Sequence, residues 1–483
     1  MIDMYYKIMY KKPSAVWVES KIIDDKIDPN YNNALYIECL DDRYRKLDCE
    51  IKQNGEIIDE LTDYTANGSF GWLKQNVVYS DDTGVPFIRI KNITEDGFDF
   101  GDLVYINTES YDKLKKSKLN GGELLFSKTG SVGTTLVVPS NINKMSLADN
   151  IFKVIYKPNI DTYYIDAFFK SYYGKLWVKR LSQGGVQQTI IKNSFREIKI
   201  PIPSPEIQKY IGDKVRKAEE LREEAKRLKK EVLDRLNTLL FNPNIKIDNN
   251  KFLYLDCKEI IDYKIGATIY RPKYVSNRRG LKQGIKLLKL KDISRKIYDG
   301  NHGSVHPKNI LDEGDIPFIR AQDAHDGLVE INKYISNEEY RLLKHKTINY
   351  GDIVYGIKGS VGKGGIYLYE NSDATVNPAC VVISPKKLVN SGYLIEVLES
   401  DYFNNEIYRF AESDSTRPQI SRTEFEELEV PMVSEEEQKA IGDLVFRRIK
   451  AINQSKQLIQ EAKQDVEDLI EGNFDMSKVK ANS

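Results

Sequence analysis

The second half of this chain restates the first about 230 residues later, and a repeat at that spacing constrains the architecture before any single motif is read. Gly84-Val85-Pro86-Phe87-Ile88-Arg89 returns as Asp315-Ile316-Pro317-Phe318-Ile319-Arg320. Lys128-Thr129-Gly130-Ser131-Val132-Gly133 returns as Ile357-Lys358-Gly359-Ser360-Val361-Gly362. Pro201, Gln208 and Ile211-Gly212-Asp213 return as Pro431, Gln438 and Ile441-Gly442-Asp443. The landmarks keep their order, so the chain is expected to fold as two copies of one plan.

Each copy ends in a proline boundary followed by a long charged segment. Proline suits a first helical turn and excludes the residues before it, which places helices over about 206–240 and 434–471. Ile211, Val215, Ala218, Ala225, Val232, Leu236 and Leu239 follow the 3/4 spacing of a helical stripe, which Leu221 and Leu228 widen. Ile441, Val445, Ile452, Ile459, Ala462, Val466 and Leu469 repeat the register, with Leu458 matching Leu228. Between Glu206 and Arg235 there are ten basic and eight acidic residues, so outside its stripe this helix does not bury alone. Its own repeat is the simplest partner, giving two coiled-coil-like helices packed along their length.

The remainder of each copy is strand-like. Leu124-Leu125-Phe126, Leu136-Val137-Val138 and Ile151 to Ile155 in the first, and Ile353-Val354-Tyr355, Ile366-Tyr367-Leu368 and Val381-Val382-Ile383 in the second, read as strands. The paired glycine segments then sit in tight hairpin connections. Helices are expected over Tyr163 to Leu181 and Tyr393 to Phe410, which makes each half α+β. The stretch Tyr31 to Glu60 reads as an insertion without a full counterpart after Leu253.

Charge excludes one class of function. Lys plus Arg and Asp plus Glu both total 72, so no chain-wide cationic coat exists, and contact with nucleic acid has to come from local patches. The strongest local bias is Arg271 to Lys296, ten basic residues, Arg278 and Arg279 among them, against Asp292 alone. It reads as a phosphate-contacting face, with a plain solvated surface as the alternative. Met1 to Tyr10 lacks the form of a signal peptide and no apolar run approaches bilayer length, so a cytoplasmic protein without membrane contact is expected. Cys39, Cys49, Cys257 and Cys380 are scattered without a C-x-x-C pair and read as reduced, partly buried thiols.

Four segments imitate catalytic motifs and fail on chemistry. Asn377-Pro378-Ala379-Cys380 lacks the second proline and the aromatic with which amino-methyltransferases hold an amine. Gly359 to Gly364 resembles a phosphate loop, but Lys363 is followed by Gly364 where Ser or Thr is needed. His302 and His306 have metal-pair spacing but lie among Asn301, Gly303 and Pro307 with no third ligand in view. Glu197-Ile198-Lys199 is only the loosest form of a nuclease site. No catalytic residue and no metal site is assigned.

Two globular domains alternating with two long helices, with Pro-Phe-Ile-Arg, the Gly-Ser-Val-Gly hairpin and the Gln-x-x-Ile-Gly helix start each occurring twice, resemble the specificity (S) subunit of type I restriction-modification enzymes. The resemblance covers nearly the whole chain. It implies an α+β fold of two repeated target-recognition domains, residues 1–205 and 241–433, separated by two long antiparallel coiled-coil-like helices, 206–240 and 434–473, with a tail at 474–483. It implies a non-catalytic chain that reads one half of a bipartite double-stranded DNA site with each domain. It further implies docking of two methyltransferase subunits and, through them, restriction subunits. S-adenosylmethionine, ATP and magnesium are expected in those partners and no cofactor in this chain. The resemblance also implies that the paired helices set the unspecific gap between half-sites; about 30 helical residues at roughly 1.5 Å each span about 45 Å, more than the about 34 Å of one B-DNA turn, enough to hold two domains over neighbouring grooves of one duplex.

At residue level, Lys128, Thr129, Lys358 and Lys363 flank the hairpins and are candidate phosphate contacts. Asn67, Ser69, Phe70, Trp72 and Lys74 in the first half, and Asn301, His302, Ser304, His306 and Lys308 in the second, pair hydrogen-bonding tips with basic neighbours as groove readers do. Gln187, Gln188, Arg417 and Gln419 precede the helices as further DNA contacts, or as caps on the domains. The helix interface is assigned to Ile211, Val215, Leu228, Val232 and Leu236 against Ile441, Val445, Ile452, Ile459, Val466 and Leu469. Three other readings remain open: a specificity chain of another phage-defence assembly such as a single-cut type II system, an enzyme with an unrecognised site, and a scaffold.

Overall fold

The computed structural model describes residues 34–185, 187–242, 254–256, 267–301, 307–343, 348–370, 373–411 and 418–481. The two long helices are its longest elements, Pro205–Leu240 and Glu435–Glu471. Pro205 opens the first, where its missing N–H costs no hydrogen bond. By packing, the chain divides into two units: one reaches Arg222 and takes in Asn453 onward, the other is Glu223–Ile452. The division cuts both helices in mid-length and not at their ends, because each half-helix is buried in the core of a different unit.

In the first unit Ile207, Ile211, Val215 and Ala218 share a core with Ile459, Ala462, Val466 and Ile470. Lys214 Nζ lies 2.5 Å from Asp465 Oδ2, and the Tyr210 ring meets Phe474, so the two segments run antiparallel. In the second unit Leu228, Val232, Leu236 and Leu240 pack with Ile441, Leu444, Val445 and Ile449. Arg235 Nη2 lies 2.7 Å from Glu437 Oε2 and Arg447 Nη2 3.3 Å from Glu224 Oε1, again antiparallel. Two stripe positions are corrected. Leu239 and Leu469 are only half-buried, while the next residues, Leu240 and Ile470, enter the cores. A straight helix of 3.6 residues per turn drifts off a 3.5 repeat, and the drift accumulates at these far ends. Ile452 sits at the edge of its core because it lies in mid-helix, where the second unit ends.

In the first unit a four-stranded antiparallel sheet orders Thr135–Val137, Leu124–Ser127, Ile151–Tyr156 and Ile58–Asp63. Its two faces go to different cores. Leu124, Phe126, Phe152 and Val154 face the helices, whereas Leu125, Leu136 and Ile151 face a second, five-stranded sheet. Burial on both faces explains the unbroken apolar runs of the sequence. The second unit repeats this division: Ile353, Tyr355, Val381 and Ile383 face the helices, and Val354, Cys380 and Val382 the other side.

The expected helix over Tyr163 to Leu181 is two, Thr162–Lys170 and Tyr172–Leu181, and its counterpart is Ser391–Glu399 and Asp401–Phe410. Ser171 and Ser400 adopt extended backbone and cap the second helix of each pair, accepting from Gly174 N and Phe403 N. The segment read as an insertion is none: Ala34–Tyr36 to Asp42–Tyr44 is helical and docks on Tyr172–Leu181 through Arg180, bidentate on Asp41. Pro272–Arg279 docks in the same way on Asp401–Phe410 through Arg278 and Glu406.

The repeated Ile-Gly-Asp has a packing cause. A Cβ on Gly212 would stand 2.7 Å from Asp161 Oδ1, and one on Gly442 would stand 2.1 Å from Asn390 Oδ1. Asp161 and Asn390 cap the helices Thr162–Lys170 and Ser391–Glu399, so glycine lets each long helix touch the cap of its neighbour. The adjoining glutamines tie the same corner: Gln208 receives Asp161 N and donates to Pro203 O, and Gln438 receives Asn390 N and donates to Val433 O.

One half-buried carboxyl in this seam makes the first unit sensitive to pH. Burial, reinforced by Asp166 nearby, pushes the Glu219 carboxyl from 4.5 up to about 8, against the pull of Lys170 and Arg222. The folded chain therefore keeps a proton that the unfolded chain has lost. Its contribution is whole below about pH 4.5 and is lost as pH rises through about 8. Glu219→Gln is expected to flatten that decline, read as melting temperature from about pH 5 to about pH 9.

Candidate nucleic-acid interface

The hairpin glycines and the segment before each long helix, far apart in sequence, form one structure in each unit. Gly130 and Gly133, and Gly359 and Gly362, all have φ between 75° and 93°, the left-handed region that turns Leu124–Ser127 into Thr135–Val137 and Ile353–Gly356 into Gly364–Ile366. Each turn is then held by a strand-like bridge: Thr129 pairs with Thr189, and Lys358 with Gln419. Gly130 N donates to Gln188 O and Gly359 N to Pro418 O; Ile190 N donates to Lys128 O and Ile420 N to Ile357 O. The expected contact residues Thr129, Gln187 and Gln188 thus converge in the first unit, and Lys358, Lys363 and Gln419 in the second. Gln187, Gln188, Lys363 and Gln419 are exposed at the surface, while Lys358 is half-buried.

Lys128 is engaged differently from the expectation. Its Nζ lies 3.0 Å from Asp63 Oδ2 and 3.8 Å from Asp149 Oδ1, and the side chain is 16% exposed. Lys192 reaches the other oxygen of Asp63 at 3.1 Å. Burial alone would raise the Asp63 carboxyl; hydrogen bonds from Thr65, Lys128 and Lys192 outweigh it and hold the group below its ordinary value. Lys128 is therefore half of an anchor that locks the hairpin to the strand Ile58–Asp63. Asp63 and Lys192 were not singled out from sequence, since nothing in the order of residues joins positions 63, 128 and 192.

The second locus of the first unit is the turn before Phe70–Asn76. Asn67 is committed within it: Nδ2 donates to Tyr64 O and Ser117 Oγ, and Oδ1 accepts from Lys116 N. Ser69 caps the helix on Trp72 N, and Trp72 packs half-buried beside Leu73, Val85 and Phe87. Lys74 is exposed and Phe70 is 81% exposed, so these two present the surface of the turn. In the second unit Asn301 is buried and Lys308 exposed. His302, Ser304, His306 and Arg417 lie outside the described residues.

Three residues of the basic run Arg271 to Lys296 pair with carboxylates from far along the chain, all within the second unit. Arg278 pairs with Glu406 at 2.9 Å and Glu429 at 3.0 Å; Lys289 lies 2.9 Å from Glu427, which also takes Lys291. Hydrogen bonds from Lys291 and Lys289 hold the Glu427 carboxyl down. Arg279 donates to Tyr254 O, Lys282 to Thr238 O and Arg295 to Pro385 O. Part of the linear charge bias thus serves the fold, while Arg271, Lys273, Lys286 and Lys296 are exposed at the surface.

Among the described residues no group of three or more His, Cys, Asp or Glu is placed to hold a metal, and no helix is long and apolar enough to cross a membrane. Cys39, Cys49 and Cys380 are free thiols.

The profile of the type I restriction modification DNA specificity domain matches twice, at residues 49–235 and 282–464. The chain belongs to the type I restriction-modification DNA specificity family. Each match spans a globular domain and reaches far into the long helix after it, so the family's unit is the repeat read from sequence. A putative type I restriction enzyme MjaX specificity subunit of Methanocaldococcus jannaschii is 26% identical over 172 residues, 34% of this chain and 39% of that relative. The S subunit of a type I system from M. genitalium aligns over 89% of this chain and 96% of its own at 15% identity and TM-score 0.44. The HsdS subunit of Thermoanaerobacter tengcongensis aligns over 88% and 97% at 13% identity and TM-score 0.29.

Proposed function

We propose that this specificity-family chain is the non-catalytic address reader of a type I restriction-modification complex, each unit reading one half of a bipartite DNA site. The observation that carries the reading is the same hairpin interlock built in both units: a left-handed glycine turn bridged to the segment before a long helix, with exposed glutamine or lysine at its edge. Glutamine reads adenine through paired hydrogen bonds and lysine neutralises phosphate, so such an edge combines sequence readout with positioning. Helices of 36 and 37 residues act as a coiled-coil spacer that fixes the gap between half-sites. Two methyltransferase subunits dock on the chain and bring S-adenosylmethionine chemistry; restriction subunits join through them with ATP and magnesium.

The test uses the complex assembled with its methyltransferase and duplexes randomised at one half-site at a time. Gln419→Ala is expected to relax selection by roughly 1–3 kcal/mol at one half-site and leave the other unchanged, and Gln188→Ala the reverse. Lys363→Ala is expected to weaken binding to all sequences alike and to reduce the slope of log affinity against log salt by about 1. Equal relaxation at both halves by either glutamine variant would count against one reader per unit.

A further inference from the structure

The repeat relates the two long helices residue by residue, which allows each observed contact to be compared with the one that would form if a helix paired with a second copy of itself. Lys214 corresponds to Leu444, Arg235 to Asp465 and Ile207 to Glu437, each 230 apart. In the first unit Lys214, 14% exposed, pairs with Asp465, 3% exposed, which Lys478 also reaches at 3.2 Å. In the second unit Arg235 contacts Glu437 through Nε and Nη2, at 2.9 and 2.7 Å. The leading half-helix is thus cationic and the trailing one anionic in the first unit, and the polarity is reversed in the second.

We propose that this reversal makes helix pairing heterotypic: the first long helix accepts the second and rejects a copy of itself. If two first helices paired, Arg235 would take the place of Asp465 beside Lys214, setting two cations in a largely buried site, with Glu231 at the place of the 42%-exposed Glu461, 3.5 Å from Lys214, as the carboxylate kept there. If two second helices paired, Asp465 would take the place of Arg235 beside Glu437, and Leu444 would replace the lysine that neutralises it. The apolar positions Ile211 and Val215 do not discriminate in this way, since they match Ile441 and Val445. The outer pair Arg447–Glu224 would persist between two first helices, since Lys217 stands at the equivalent of Arg447, and would be lost between two second helices, where Gln454 stands at the equivalent of Glu224; with the arginine 60% exposed its weight is small either way. Charges flanking the apolar stripe are the usual way in which helices of similar stripe are kept to one partner, and the Lys214–Asp465 site, more buried than Arg235–Glu437 at 39% and 34% exposed, discriminates the more.

The full chain tests this without change of net charge. Exchanging the two trailing charges, Arg235→Asp with Asp465→Arg, sets like charges within one chain and opposite charges between copies. Adding Lys214→Glu and Glu437→Arg restores opposite charges within the chain. By analytical ultracentrifugation the parent is expected at the mass of one chain, the double variant at twice that mass with cross-links joining first helices of different chains, and the quadruple variant at one chain again. A double variant that stays at one chain with an unchanged melting temperature overturns the proposal. If the double variant fails to fold, recovery of the fold in the quadruple variant supports the charge rule, and failure to recover contradicts it.

Discussion

Replacing Arg448 with methionine will destabilise the second unit by about 3–5 kcal/mol, because it strips a buried carboxylate of its cation. Arg448 is 1% exposed on the second long helix and Glu396 3% exposed on Ser391–Glu399; the guanidinium bonds Glu396 Oε1 and lies 3.1 Å from Asp326 O. The neighbouring Glu399 already feels the crowding: burial, and then the charge of Glu396, push its carboxyl up to about 7. Removing the arginine leaves Glu396 buried without its cation and takes a positive charge from the surroundings of Glu399, whose carboxyl burial already raises. Glu399 then holds its proton still more firmly in the folded chain, so the loss of stability will be smaller in acid and will grow as pH rises. Urea unfolding at about pH 5 and about pH 8 reads both effects. The double variant Arg448→Met with Glu396→Leu, which replaces the pair by apolar groups, should recover most of the stability. A single variant as stable as the parent at both pH values would show that the pair is not buried in solution.

Phe195→Ala should cost the first unit about 3–5 kcal/mol by emptying the centre of its aromatic core. Phe195 is fully buried, with ring centroids at 4.7 Å from Phe126, 5.3 Å from Phe152 and 5.7 Å from Phe169. These rings come from two strands and two helices, so the cavity cannot close by moving one element. Its helix, Lys192–Glu197, directly follows the Thr189 bridge to the hairpin. The variant should accordingly blunt selection at the first half-site while leaving the second intact. Phe195→Leu, which keeps most of the volume, should lose far less on both counts.

The parts of this fold legible in the sequence are those specified by neighbours along the chain. The two long helices follow from proline boundaries and 3/4 spacing, and the hairpins from glycines flanked by apolar strands. The expected long helices of each domain break at Ser171 and Ser400, since a serine cap competes with helix continuation through hydrogen bonds that no periodicity records. The site was legible in outline only. Thr129, Gln188, Lys358 and Gln419 were selected for their position relative to the repeat, and the repeat places them together. Lys128 flanks the same hairpin and Arg278 stands in the basic run, yet the carboxylate that engages each of them comes from far along the chain. Asp63 lies 65 residues before Lys128, and Glu406 lies 128 residues after Arg278, distances over which linear sequence carries no sign of pairing.

The central claim is that one chain reads two half-sites, and methylated-base sequencing of a host carrying this chain with its neighbouring methyltransferase tests it most directly. The account predicts a bipartite methyladenine motif with an unspecific gap of fixed length, missing in a host that carries the methyltransferase alone. A single continuous motif, or no new motif when both proteins are folded and associated, would contradict it.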